Sequence, residues 1–178
     1  MKRLLVSGLL LLTTSIISCA EPVLGVCDIL ADLDKFSGKI VTIHGRLAPS
    51  SDVWLVPTSN CDKEIRVGSL SFQNLVAIRW PSSVIVRAQG IAVPFSEDTS
   101  SLRAFNAIVQ LESAVHSDIY FTFEAYIWTR NPPLALVHPN SPNTPIGFGH
   151  LGSAPAAIVV KRLVKVEFFL KSVLIPEP

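Results

Sequence analysis

The chain has 178 residues, 49% of them hydrophobic, and its 15 Lys and Arg side chains nearly balance 14 Asp and Glu. This length and apolar content suffice for one domain with a hydrophobic core. Without residues 1–18, which include Lys2 and Arg3, 13 basic side chains face 14 acidic ones and the net charge is −1. That balance excludes the basic surface typical of nucleic-acid-binding proteins.

The first 18 residues have the order of a secretory signal peptide. Lys2 and Arg3 precede an apolar run that begins at Leu4, and small residues stand just before Cys19. The run is shorter than the roughly 20 apolar residues that a membrane-spanning helix needs. We therefore predict a signal peptide over 1–18, an exported protein, and a single domain over 19–178.

Two modes of signal cleavage fit the residues around Cys19. The run from Ile16 to Cys19 resembles a bacterial lipobox, which would make Cys19 the lipidated first residue of a membrane-anchored lipoprotein. Ser18, Cys19 and Ala20 also fit the small-x-small pattern of ordinary signal peptidase, which would release a periplasmic or secreted protein. We favour the lipoprotein.

Both modes leave Cys27 and Cys61 in the mature chain. Two cysteines in an exported protein are more often bridged than free. We predict a disulfide that ties the first helix to the end of the first hairpin. A zinc site on these cysteines would need further ligands at suitable spacing, and the neighbouring sequence offers none.

The first half of the chain predicts a helix followed by a β-hairpin. Apolar residues recur at helical spacing over Cys27–Phe36, and Gly38 stands where a C-terminal cap is expected. Over Lys39–Leu47 the apolar residues alternate instead, as in a half-buried strand. A turn rich in Pro and Ser then leads to a second strand over 53–57.

The second half is predicted to be mostly β-structure with one further helix. Residues 101–116 fit either a helix or a strand, and we favour the helix. Six prolines make 131–155 a long connecting loop. The predicted strands of this half are 75–80, 84–93, 119–129 and a closing segment over 156–175.

The stretch CDILADLDKFSGKIVTIHGRL resembles the opening of an OB-fold-like module, in which a short helix leads into the first strand of a five-stranded barrel. Together with Cys61 and the later run GFGHLGSAPAAIVVKRLVKV, it is similar to a group of exported bacterial proteins and lipoproteins with no established activity. Such relatives usually carry a glycine where this chain has Ala125. The resemblance implies an α+β, mostly β fold: an OB-like barrel with a short N-terminal helix, one further helix and a long proline-rich loop.

The run GFGHLG, residues 147–152, has the G-x-G-x-x-G spacing of a dinucleotide-binding loop. That loop needs a buried strand before it and a helix that opens at its third glycine. Here a proline-rich segment precedes the run and a β-type segment follows it. We therefore predict a structural turn and no cofactor.

Catalytic chemistry has little support in the sequence. There is no G-x-S-x-G, and both remaining cysteines are predicted to be paired, so no catalytic residue is assigned. His138 and His150 lie in the same Gly/Pro-rich loop and could converge on a metal, although no third ligand is predicted. An envelope enzyme or metal-binding protein that uses these two histidines is therefore the alternative function.

The strand 119–129 offers a candidate ligand surface. One of its faces carries Tyr120, Glu124, Tyr126 and Trp128, the kind of aromatic and polar row on which OB-like barrels stack ligands. The competing interpretation is that these rings form a second packing layer beneath 131–155. We predict a non-catalytic binding or structural module of the cell envelope, with an envelope protein or a small ligand as its partner.

Overall fold

The structure is a computed structural model, and it describes residues 21–49, 52–61, 64–67, 70–88, 91–112, 117–129, 147–148 and 154–170. Its elements, in chain order, are β1 (Val23–Gly25), α1 (Val26–Ala31), α2 (Leu33–Phe36), β2 (Ile40–Pro49), β3 (Val53–Val56), β4 (Ile65–Val67), β5 (Leu70–Phe72), β6 (Val76–Arg79), α3 (Val84–Ala88), α4 (Thr99–Glu112), β7 (Ser117–Thr129) and β8 (Ala156–Leu170). The predictions for Cys19, His138 and His150 fall outside the described residues.

Five strands close into a barrel in the order β2-β3-β6-β8-β7, and β7 pairs back onto β2. Strands β6 and β8 run parallel, and the other neighbours in the ring are antiparallel. The helix α4 lies in the chain between β6 and β7. The predicted α+β, mostly β, OB-like five-stranded barrel is confirmed.

The barrel interior is filled by alternate residues of its strands, as the period of a β-strand requires. Ile43, Phe121, Phe123, Ile127 and Ile158 are fully buried there. The helix α4 adds one more large side chain to this core, because the Phe105 ring lies 5.3 Å from the Phe121 ring and 5.9 Å from the Phe123 ring. The core therefore includes both strands and helix.

Strand β2 changes neighbours halfway along one of its edges. The short strand β1 pairs in parallel with residues 42–44, and β3 pairs with residues 46–49. Gly45 lies at the junction between these two partners. A Cβ atom at this position would stand 2.7 Å from Leu55 Cγ and 2.8 Å from the Val56 carbonyl oxygen. The junction therefore has room only for glycine.

The predicted helix over Cys27–Phe36 is two short helices, α1 and α2. The break falls at Asp32, whose backbone leaves the helical region and whose side chain accepts a hydrogen bond from the Lys35 N–H at 3.1 Å. Asp32 thus starts a new helix, as an aspartate at an N-cap position does. Gly38 has a φ of +77°, in agreement with its predicted capping position.

The prediction of β-structure over 84–93 is wrong. Residues Val84–Ala88 form the helix α3, and 91–98 belong to no helix or strand. Ser83 starts this helix, because its carbonyl accepts from the Arg87 N–H at 3.1 Å and its hydroxyl accepts from the Val86 N–H at 3.4 Å. This capping outweighs the β-propensity of the valine- and isoleucine-rich sequence.

The helix favoured for 101–116 is observed as α4, although 113–116 lie outside the described residues. Asp98 caps its start: the carboxylate accepts from the Ser100 N–H at 3.0 Å and from the Ser101 hydroxyl at 2.7 Å. The Ser100 hydroxyl also donates to this carboxylate, at 2.6 Å, and its bond, followed by that of the Ser101 hydroxyl, is the main cause that lowers the pKa of Asp98 from 3.8 to about 2. A carboxylate held in this way favours the positive end of the helix dipole.

A second hydrophobic cluster covers part of the barrel's outer surface. It joins Trp54, Ala77 and Ala157 on the barrel strands, and Leu75 just before β6, to Phe148 and Ala154. Phe148 and Ala154 hold each other through two backbone hydrogen bonds, of 2.8 and 3.1 Å. These bonds close the base of the segment that contains most of GFGHLG. Only Gly147 and Phe148 of that run are described.

The last strand extends beyond the barrel. Strand β8 pairs with β6 only over 156–159, whereas its pairing with β7 continues to Leu170 and includes two bulges. A separate hairpin of β4 and β5, which the sequence did not predict, forms its own two-stranded sheet. Among the described residues, no helix has the length and apolar character to cross a membrane.

Candidate functional site

The four residues of the predicted ligand platform alternate along the outer side of β7, and all are half-buried. Eight residue steps separate Tyr120 from Trp128, which corresponds to about 26 Å along a strand. Tyr120, Glu124 and Trp128 each contact a different set of neighbours. The structure therefore divides the predicted row into separate local environments.

Trp128 belongs to the second hydrophobic cluster. Its ring lies 4.5 Å from the Phe148 ring in an edge-to-face arrangement, within the range favoured by aromatic pairs. Phe148 comes from the connection between β7 and β8. At this end of β7 the geometry matches the competing interpretation, in which the rings form a second packing layer.

Glu124 is occupied by two cations from β8. Its carboxylate oxygens lie 2.6 Å from Lys161 Nζ and 2.5 Å from Arg162 Nε. The hydrogen bond from Lys161, followed by that from Arg162, lowers the pKa of Glu124 despite the opposing effect of burial. The negative charge of Glu124 is thus balanced within the chain.

Tyr120 lies between two other rings on the outer face of β2, β7 and β8. The His44 ring stacks on it at 5.8 Å with an angle of 11° between the planes. The Phe169 ring meets it edge-to-face at 5.1 Å. His44 is fixed from the other side, because its Nδ1 atom is 3.1 Å from the Thr122 hydroxyl. Aromatic and hydrogen-bonding groups therefore converge here.

Two ion pairs flank Tyr120. Arg46 of β2 contacts Asp118 of β7 at 3.3 Å, and Lys165 of β8 contacts Glu167 at 2.8 Å. The hydrogen bond from Lys165 is the main cause that lowers the pKa of Glu167. These groups share no signal in the sequence, because they come from three strands that are far apart in the chain.

Arg46 also lines a cleft of about 290 Å³, which we call the Arg46 cleft. Its other walls are Asn74 and the segment 56–61, of which Thr58, Ser59 and Asn60 are exposed to solvent. Asn74 Oδ1 is buried and accepts no hydrogen bond from the described part of the chain. Because a buried acceptor without a donor is unfavourable, this atom suits a ligand that can donate a hydrogen bond.

The cysteine pair holds one wall of the cleft. The Sγ atoms of Cys27 and Cys61 are 2.11 Å apart and the Cα atoms are 5.5 Å apart, which is disulfide geometry. Cys27 belongs to α1, and Cys61 follows β3 and lines the cleft. The bond thus ties the segment after β3 to the first helix, as the sequence predicted.

Metal coordination finds no support within the described residues. No group of three or more His, Cys, Asp or Glu side chains among them is placed to hold an ion. His138 and His150 lie outside those residues, so the metal-binding alternative stays a prediction. His44, the one histidine among the described residues, is engaged with Tyr120 and Thr122.

Comparison of the chain with protein-family models, with curated proteins and with solved structures finds no match.

Proposed function

We propose that this protein is a non-catalytic binding module of the cell envelope, and that it captures a small polar ligand with an anionic group in the Arg46 cleft. The observation that carries the proposal is that one polar cleft is lined by both an arginine and the buried Asn74 Oδ1, an acceptor that receives no hydrogen bond from the described residues. Arg46 would bind the anionic group, and Asn74 Oδ1 would accept a hydrogen bond from a hydroxyl or amine of the same ligand.

The chemistry of Arg46 supports an anionic ligand. A guanidinium carries five N–H donors, and even a bidentate carboxylate uses two of them. Arg46 can therefore keep its contact with Asp118 and still donate to a second acceptor. Its side chain is 40% exposed, so a ligand can reach it from solvent.

Export and anchoring are part of the proposal. The signal-like residues 1–18 and the lipobox-like run that ends at Cys19 support a lipoprotein. Replacement of Cys19 by Ser should then abolish lipid attachment and release the protein from the membrane fraction. Unchanged processing and membrane partitioning of this variant would favour ordinary secretion instead.

The ligand proposal is tested by thermal unfolding with a panel of small anions, including inorganic phosphate, citrate and sugar acids. A ligand that binds only the folded protein raises the melting temperature as its concentration increases. We expect stabilisation of the wild type and of Arg103→Gln, whose side chain is exposed on α4 outside the cleft. Arg46→Gln should lose the effect. Equal stabilisation of the Arg46 variant would place the binding elsewhere and contradict the proposal.

A further inference from the structure

The edge of β8 that lies away from β7 is open beyond the barrel. In the part of the chain that the structure describes, no strand pairs with this edge after Val159. The helix α4 covers its first part, because the Leu163 N–H donates to the Ser101 hydroxyl at 2.8 Å. The open edge therefore begins at Val164. Unpaired backbone N–H and C=O groups on such an edge are a template for pairing with another strand.

This edge also carries exposed apolar side chains. Val164, Phe168 and Phe169 are 50%, 54% and 56% exposed. They are three of the seven large hydrophobic side chains that are exposed among the described residues. Val164 and Phe168 lie on one face of the strand, and Phe169 lies on the other, where it contacts Tyr120. Exposed apolar side chains beside an open edge are typical of an interaction surface.

The sequence of the edge is complementary to itself. Residues 164–168 read Val-Lys-Val-Glu-Phe. If two copies pair in antiparallel fashion about a two-fold axis at Val166, Lys165 of each copy lies opposite Glu167 of the other. The same register places Val164 opposite Phe168. Because the axis repeats each pair and places Val166 opposite Val166, the interface would hold two oppositely charged pairs and three apolar pairs, the combinations that stabilise neighbouring strands.

We propose that the protein forms a homodimer through antiparallel pairing of β8 over residues 164–168. The charge pattern selects a second copy as the occupant of the edge. A lysine on an edge strand normally opposes pairing, because a neighbouring strand would desolvate its charge. In this register, Glu167 of the second copy lies opposite Lys165 and would share its charge with the Glu167 of the same chain, which Lys165 already contacts at 2.8 Å. The dimer is independent of ligand binding in the Arg46 cleft.

Sedimentation analysis of the full chain over a concentration series up to about 100 µM tests the proposal. The wild type should dimerise. Glu167→Lys should raise the dissociation constant at least tenfold, because it places two lysine pairs at the interface. The double variant Lys165→Glu/Glu167→Lys restores the opposite charges and should restore the dimer.

Glu64→Lys is the matched control. Like the Lys165–Glu167 pair, the exposed Arg66–Glu64 ion pair joins residues two positions apart. It lies away from β8, because Arg66 is on β4 and Glu64 comes just before that strand. This variant should dimerise like the wild type. Phe168→Asp provides a second disruptive change if Glu167→Lys fails to fold. A wild type that remains monomeric throughout the series, or a Glu167→Lys protein that dimerises as well as the wild type, would overturn the proposal.

Discussion

Replacement of Gly45 by alanine tests the close packing at the junction of β1, β2 and β3. The added Cβ atom would meet three groups at less than 3.0 Å: Leu55 Cγ at 2.7 Å, the Val56 carbonyl oxygen at 2.8 Å and Val26 Cγ2 at 2.9 Å. Leu55 and Val26 are themselves buried, with 0% and 1% exposure. The overlap therefore cannot be relieved by moving a side chain into solvent.

The expected loss of stability follows from these contacts. Forcing an extra methyl group into a packed core costs about 1–3 kcal/mol. The upper part of this range applies, because the Val56 carbonyl belongs to the β2–β3 pairing and cannot retreat without weakening it. Alanine also lowers the conformational entropy of the unfolded chain, which offsets about 0.4–1 kcal/mol of this loss of stability. We expect Gly45→Ala to lower the free energy of unfolding by about 2 kcal/mol.

Urea unfolding, followed by the fluorescence of the buried Trp54 and Trp80, measures this change. For a domain of this size, a loss of about 2 kcal/mol should also lower the melting temperature by about 4–8 °C. Gly25→Ala is the control, because its Cβ atom would come close to one atom alone, Asp28 Oδ2 at 3.3 Å, with no contact below 3.0 Å. If Gly45→Ala unfolds within about 0.5 kcal/mol of the wild type, the steric argument is refuted.

Three further changes test other features of the fold. Replacement of Cys27 and Cys61 by Ser opens a loop of sequence separation 34 and should cost about 4 kcal/mol in the chain-entropy model, measured by urea unfolding. Asp98→Ala should be less stable than the wild type at neutral pH. Because folding lowers the pKa of Asp98 from 3.8 to about 2, this difference in stability should shrink as the pH falls from 3.8 to about 2. A difference that persists at lower pH would contradict the capping role. Glu124→Gln loses two ion pairs and should cost about 1 kcal/mol, whereas an unchanged melting temperature would show that the pairs contribute nothing to stability.

The long strands of the barrel could be predicted from the sequence because their two faces differ. Strands β2 and β7 alternate between the core and the outer surface, so a period of two is visible over many residues. The strands β1, β4 and β5 have three residues each, too few to show a period. The β-branched residues of α3 favoured the prediction of a strand. Ser83, which caps the start of this helix, was the residue that could have indicated it.

The candidate site was harder to predict than the fold. Tyr120 stood out as an aromatic residue on the outer face of β7, but its neighbours His44 and Phe169 come from the other two strands. The Arg46 cleft combines β2 with the segments after β3 and before β6. Such a combination depends on the order of strands in the barrel. The hydrophobic alternation along one strand gives no information about that order. The polar residues Thr58, Ser59 and Asn60, which precede Cys61 and line the cleft, were the local feature that came nearest to indicating it.

The parallel strand β1 determines how the barrel would stand on a membrane. Val23 already pairs with Thr42, so the chain enters the sheet at that residue. On the proposal that Cys19 carries the lipid, four residue steps separate the anchor from the barrel. Even fully extended, they span only about 14 Å. The module would therefore lie close to the lipid headgroups with its β1 side toward them, and would sample ligands within a thin layer at the bilayer surface.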